Sequence, residues 1–124
     1  MTSKNLCSIL CIFSLLIGAS ACSSSTEIPG LNRANWVKDK HGCDYRNEKA
    51  NLIISEKKLL INNREKGIRE ILGEPDRQEL YVRGQKFFYY TIASPRKCGV
   101  KDSLELELRF SALGLISEVM LIEY

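Results

Sequence analysis

From Ser103 to Phe110 the chain alternates without a break. Leu104, Leu106, Leu108 and Phe110 fall on one side, Glu105, Glu107 and Arg109 on the other. A period of two over that length predicts a strand with one buried and one wet face. Two further strands are predicted upstream: Gln78–Val82 and the aromatic Lys86–Ile92, joined by a turn at Arg83-Gly84-Gln85. Ala93–Asp102, with Pro95 and Cys98, reads as a loop, and Ser111–Gly114 as a tight connection. Leu115–Tyr124 completes the set. Its inward side stays open, because Leu115/Val119/Leu121 and Ile116/Met120/Ile122 are both apolar.

Before Pro75 the period is helical. Asn62 and Glu65 have the spacing of a capping box, and Ile68, Ile71 and Leu72 form an apolar stripe. A helix over 63–72 is therefore predicted, ended by Gly73 and barred from continuing by Pro75. Cys43, Asn47, Ala50, Ile54 and Ile61, joined by Ile53 and Leu60, fall near helical spacing, which predicts a helix over 44–58 with an extended exit through Leu59-Leu60-Ile61. Leu52-Ile53-Ile54 is equally compatible with a strand. Ala34–His41 predicts a short first helix, with Asn32 or Asn35 as cap and Gly42 as stop. Helices followed by a run of antiparallel strands imply an α+β two-layer sandwich: two or three N-terminal helices packed on a sheet of three to four strands.

The front of the chain follows neither period. Leu6–Ile17 is an uninterrupted apolar run preceded by Lys4 and followed by Gly18-Ala19-Ser20-Ala21. It is shorter than the roughly 18 residues a spanning helix needs, and it suits a signal peptide over 1–21. Ala19-Ser20-Ala21-Cys22 resembles the lipobox of bacterial lipoproteins, with Ala19 where leucine is most usual. That resemblance implies cleavage before Cys22 and lipidation of its thiol. With several acyl chains on one residue the anchor would be stable. Ser23 is not acidic, so the resemblance points to the outer membrane, with the domain facing the periplasm. Residues 22–32, ending near Pro29-Gly30, read as a flexible tether, and 33–124 as the folded domain.

Removing the leader changes the cysteine count. Of the five cysteines, Cys7 and Cys11 leave with it and Cys22 carries lipid, so Cys43 and Cys98 remain. In an exported domain they are expected to pair. The bridge would close a loop of about 56 residues, worth roughly 4 kcal/mol in the chain-entropy model. A metal pair of His41 and Cys43 is the competing reading, but it lacks a third ligand at useful spacing. No metal and no cofactor are expected.

Several classes fall away on composition. At 124 residues the chain is too short for two ordinary domains, and 44% apolar residues are too many for disorder. The formal charge of +3 leaves nucleic acid without a footprint, since basic residues at 57–58 and 64–69 are interleaved with Glu56, Glu65 and Glu70.

Ile71-Leu72-Gly73-Glu74-Pro75, the aromatic strand Phe87-Phe88-Tyr89-Tyr90, and Leu108-Arg109-Phe110 followed by Gly114 together resemble the SmpA/OmlA lipoproteins. These BamE-like proteins pack two helices on a three-stranded antiparallel sheet, and the same unit is duplicated in the β-lactamase inhibitory proteins. The resemblance covers about residues 59–124 plus the leader. The Cys43–Cys98 pair and the Trp36 segment depart from it, which marks a divergent relative. It implies a small non-enzymatic lipoprotein that binds other envelope proteins or assists outer-membrane assembly.

Candidate chemistry is sparse. His41, the sole histidine, sits beside Lys40 and Gly42 at a helix end and reads as solvated, so no catalytic residue is assigned. Glu105 and Glu107 share a strand face with Arg109, which reads as a charge ladder. The aromatic strand carries more. Phe88, Tyr90 and Ile92 point one way, Phe87, Tyr89 and Thr91 the other, so helices on one side leave two rings on the second. Either Trp36 and the front segment cover Phe87 and Tyr89, or Phe87, Tyr89 and Trp36 belong to a partner-binding face. An inhibitor or small-ligand binder on the same fold is the alternative function. A pocket with convergent polar groups would favour it.

Overall fold

The computed structural model describes residues 27–124. The elements run α1 (Arg33–Lys38), α2 (Tyr45–Ser55), a 3₁₀ turn (Lys57–Leu59), α3 (Glu65–Leu72), β1 (Arg77–Leu80), β2 (Lys86–Ala93), α4 (Pro95–Cys98), β3 (Leu104–Phe110) and β4 (Ile116–Glu123). The four strands form one antiparallel sheet in the order β1-β2-β3-β4, with α2 packed on it. The α+β helix-on-sheet architecture is as expected. The loop after β2 contains the short α4, started by Pro95 in its first turn.

The core forms between the helices and one sheet face. Phe88, Tyr90 and Ile92 from β2, Leu106, Leu108 and Phe110 from β3, and Ile116 and Val119 from β4 meet Ile53, Ile68 and Leu72. A register shift near Arg109/Phe110 resolves the ambiguous parity of β4. Val119 and Leu121 lie opposite Leu108 and Leu106 on the core side, while Met120 and Ile122 pair with Glu107 and Glu105 on the other.

Three helix expectations need correction. The buried stripe of α2 is Arg46, Ala50 and Ile53, not the Asn47/Ile54 line, and Asn47 is exposed. A charged residue on the inner face hides that stripe from a hydrophobicity reading. The expected extended exit through Leu59–Ile61 is a 3₁₀ turn, with Leu60 fully buried. The capping box is not formed either. The Asn62 amide donates to Ile116 O at 2.9 Å and Asn63 O accepts from Ile116 N at 2.9 Å, so this stretch pairs with the start of β4. Asn63 Nδ2 turns back to Leu59 O at 2.7 Å, and Glu65 accepts from Lys86 Nζ at 2.9 Å. Tertiary pairing supplies the partners that the cap would have provided.

The fold also begins earlier than the predicted boundary after residue 32. Ile28 is buried in the core, and Leu31 packs against it with its amide donating to Ile28 O at 3.0 Å. The predicted leader and Cys22 lie outside the described residues. Among the described residues no helix is long and apolar enough to cross a membrane.

Gly73 shows why the α3 stop is glycine. Its φ is +74°, and a Cβ there would stand 2.7 Å from Val37 Cγ2. Its carbonyl accepts from the Tyr90 hydroxyl at 2.8 Å, which ties the helix end to the sheet.

Candidate functional site

The helix-free face of the sheet is a lattice read across the strands. One row is Glu79, Phe87, Arg109 and Glu118; the next is Arg77, Tyr89, Glu107 and Met120; the third is Thr91, Glu105 and Ile122. The helices pack on the other face, and the Lys40–His41 loop reaches its edge beside Arg77, Thr91 and Glu105. Phe87 and Tyr89 are on this face, as the parity of β2 predicts. They are not bare, however. Tyr89 is only 4% exposed because the Arg77 guanidinium lies 3.8 Å from its ring centroid and Phe87 stacks beside it at 6.2 Å. Phe87 in turn meets the Tyr81 ring edge-on at 4.8 Å, with the Arg109 guanidinium 5.9 Å from its centroid. Two displayed rings, as expected from sequence, are thus a roofed cluster whose exposed parts are Tyr81, Met120 and the guanidinium edges.

Charge organises the same surface. Arg77 bridges to Glu79 and, at 3.1 Å, to Glu105; Arg109 reaches Glu118 at 3.8 Å. The Tyr81 hydroxyl donates to Glu79 at 2.7 Å and, with Arg77 nearby, holds that carboxyl below the usual carboxylate range. Glu107 has no ion-pair partner among the described residues. Partial burial, with Glu118 and Glu79 adding repulsion, pushes its carboxyl above the ordinary range. The Glu105/Glu107/Arg109 ladder is therefore a cross-strand network with one unpaired member.

Trp36 is a correction. It is fully buried on the helix side of the sheet, 6.1 Å from Tyr90 between ring centroids, and it can neither cover Phe87 and Tyr89 nor touch a partner. What fastens it there is Arg46, a residue that belongs to no motif in the sequence. It is 1% exposed, lies 5.0 Å over the Trp36 ring, donates from Nε to Trp36 O at 2.9 Å, and forms an ion pair with Asp76 at 2.6 Å. Further bonds go to the carbonyls of Lys40 and Thr91. Asp76 Oδ2 also accepts from Thr91 N at 2.7 Å. One guanidinium so joins α1, the following loop, the entry to β1 and the end of β2. No sequence signal marks this, since an interior arginine and a surface one look alike until the partners are known.

Cys43 and Cys98 stand at disulfide distance, with Cα atoms 5.5 Å apart, as expected for that pair. Lys97 Nζ adds a second fastening there, to Asp39 at 3.1 Å and Gly42 O at 2.9 Å. His41 is exposed beside this junction, on a polar cleft of about 510 Å³ shared with Lys40, Asp76, Arg77, Thr91, Ser94, Ser103 and Glu105. Asp76 is committed to Arg46 and Glu105 to Arg77, which leaves Lys40, His41 and the hydroxyls as its uncommitted groups.

Comparison with known protein families, curated proteins and solved structures finds no match for this chain.

Proposed function

We propose that the chain is an outer-membrane lipoprotein anchored through Cys22. In this reading its periplasmic domain is a non-enzymatic interaction module, and the open sheet face is the contact surface for an envelope protein. The observation that carries this reading is the open face itself. It spans all four strands, lies opposite the helix-packed core side, and combines aromatic bodies with oriented guanidinium and carboxylate groups. Interfaces favour that mixture, because aromatic and arginine side chains give contact area together with directional bonds. The resemblance to the SmpA/OmlA lipoproteins points the same way and suggests a place in outer-membrane assembly.

A photo-crosslinking side chain at Phe87 or Met120 of the full chain, expressed in its own envelope, tests the reading. A discrete covalent adduct from these positions, and none from Glu48 on the outer side of α2, is the expected result. Adducts from the helix position alone would overturn it. The small-ligand alternative rests on the polar cleft beside His41. It predicts that His41→Ala abolishes binding of a small anion to the purified protein without changing the crosslinks.

A further inference from the structure

The large apolar side chains exposed most fully among the described residues are not on the open face but at one end of the sheet. Leu80 is 75%, Val82 86% and Leu113 78% exposed, and Tyr81 stands beside them. Leu80 closes β1, and Val82 and Leu113 lie in two turns, the one between β1 and β2 and the one between β3 and β4. The turns are neighbours, since Gly84 lines a common cleft with Ser111, Ala112 and Gly114. Turn geometry does not call for leucine or valine here. The left-handed positions that shape the two connections are Arg83, Gly84 and Gly114. Exposed at these levels, Leu80, Val82 and Leu113 contribute almost nothing to the core.

Charge at this end is one-sided. Glu65 is taken by Lys86 and Arg69, and Glu79 by Arg77 and Tyr81. Arg83, in the first turn, and Arg64, bridged to Leu115 beside the second, have no carboxylate partner among the described residues. Convex aliphatic tips, one tyrosine and two uncommitted guanidiniums suit the interface of a phospholipid bilayer. There apolar tips enter the acyl boundary, aromatic rings sit at the headgroup level and arginines meet phosphate. A protein partner would need a separate pocket shaped to each tip, whereas a fluid leaflet takes all of them at once.

We propose that the two turns are a membrane-contact site. Val82, Leu80 and Leu113 dip into the leaflet that holds the lipid anchor, and Arg83 and Arg64 bind headgroup phosphates. The proposal rests on the anchor reading, since at no more than about 3.5 Å per residue the link from Cys22 keeps the domain within reach of the bilayer. Seated this way, the strands stand away from the leaflet and the open face looks sideways along it, toward neighbouring membrane proteins.

The test uses the full lipidated chain in vesicles of phosphatidylethanolamine and phosphatidylglycerol. An environment-sensitive fluorophore is placed in turn on Val82→Cys, Leu113→Cys and, at the opposite end of the sheet, Lys101→Cys. Labels at 82 and 113 are expected to shift to the blue and to be quenched about twofold or more by nitroxide-bearing lipids, with the label at 101 unchanged. Arg83→Glu should weaken the quenching at 82 when phosphatidylglycerol is present. If the protein floats with the vesicles while 82 and 113 remain as wet as 101, membrane contact by the turns is wrong and the anchor stands. If 101 is quenched equally, the contact is not specific to this end and the proposal fails. A protein that does not float overturns both. Labels that leave water only when envelope proteins are added identify a protein partner instead, which also overturns it.

Discussion

At the end of the sheet where β1 begins and β2 finishes, Arg46 and Asp76 are joined out of solvent, Lys97 ties Asp39 to the Gly42 carbonyl, and Cys43 faces Cys98. At the opposite end the two turns meet solvent with leucine and valine and with arginines that have no carboxylate partner among the described residues. The first end is over-determined: several elements cross there, and Arg46, Asp76, Asp39 and Lys97 all find partners inside the protein. The second is under-determined by the fold, because its side chains do nothing for the core. The difference separates residues that hold the fold together from residues the fold does not need.

Substitutions should divide along that line. The largest effect is expected from Arg46→Ala, which strands a half-buried Asp76 carboxylate and several carbonyls. Urea denaturation should show a loss of about 3–5 kcal/mol, whereas a loss below 1 kcal/mol would mean that water replaces the guanidinium. Cys98→Ser comes next. If the bridge forms, releasing the long loop should cost about 2–4 kcal/mol, and thiol counting on the denatured, unreduced wild type should find neither Cys43 nor Cys98 free. Tyr89→Ala should cost on the order of 1–2 kcal/mol, because its ring is buried under Arg77, so it is a folding variant as much as a binding one. Val82→Ser and Leu113→Ser should stay within about 0.5 kcal/mol of wild type. A large loss at either would move the turns into the stabilising class and erase the contrast.

The smallest effect is a pH dependence on the open face. Glu107 binds its proton more readily in the folded state than in the unfolded chain, so its ionised form opposes folding at neutral pH. That penalty is relieved as pH falls through the raised folded value toward 4.5. Glu79 has the opposite sign, since its stabilisation exists above the ordinary carboxylate range and is lost as pH falls through its lowered value. Glu107→Gln should therefore stabilise the domain slightly at pH 7, by about 0.5 kcal/mol or less once solvent screening is counted. It should also flatten the acid-side gain in a thermal-denaturation series. An unchanged profile would show that Glu107 is fully solvated.

Much of this was legible in the chain. Strict alternation in Leu104–Phe110 located β3 and its wet side, since a period of two has only one way to put four apolar residues inward. Ile68, Ile71 and Leu72 before Gly73 defined α3 and its stop for a comparable reason. The Cys43–Cys98 pair was the expectation once Cys7, Cys11 and Cys22 were assigned to a leader and a lipid anchor. These are local or combinatorial facts, and no neighbour can change them. Whatever depended on which surfaces meet could not be read that way. A strand with two apolar parities, as in β4, takes its direction from a register shift against β3. Asn62 and Glu65 carry a cap signal that pairing with Ile116 and Lys86 overrides. Arg46 becomes interior only because Trp36 O, Asp76 and Thr91 O converge on it from three other parts of the chain, and Tyr89 becomes covered only because β1 brings Arg77 across its face. A long cation has two stable settings, hydrated outside or fully bonded inside. The choice between them is made by distant residues, which is why tertiary structure alone could decide it.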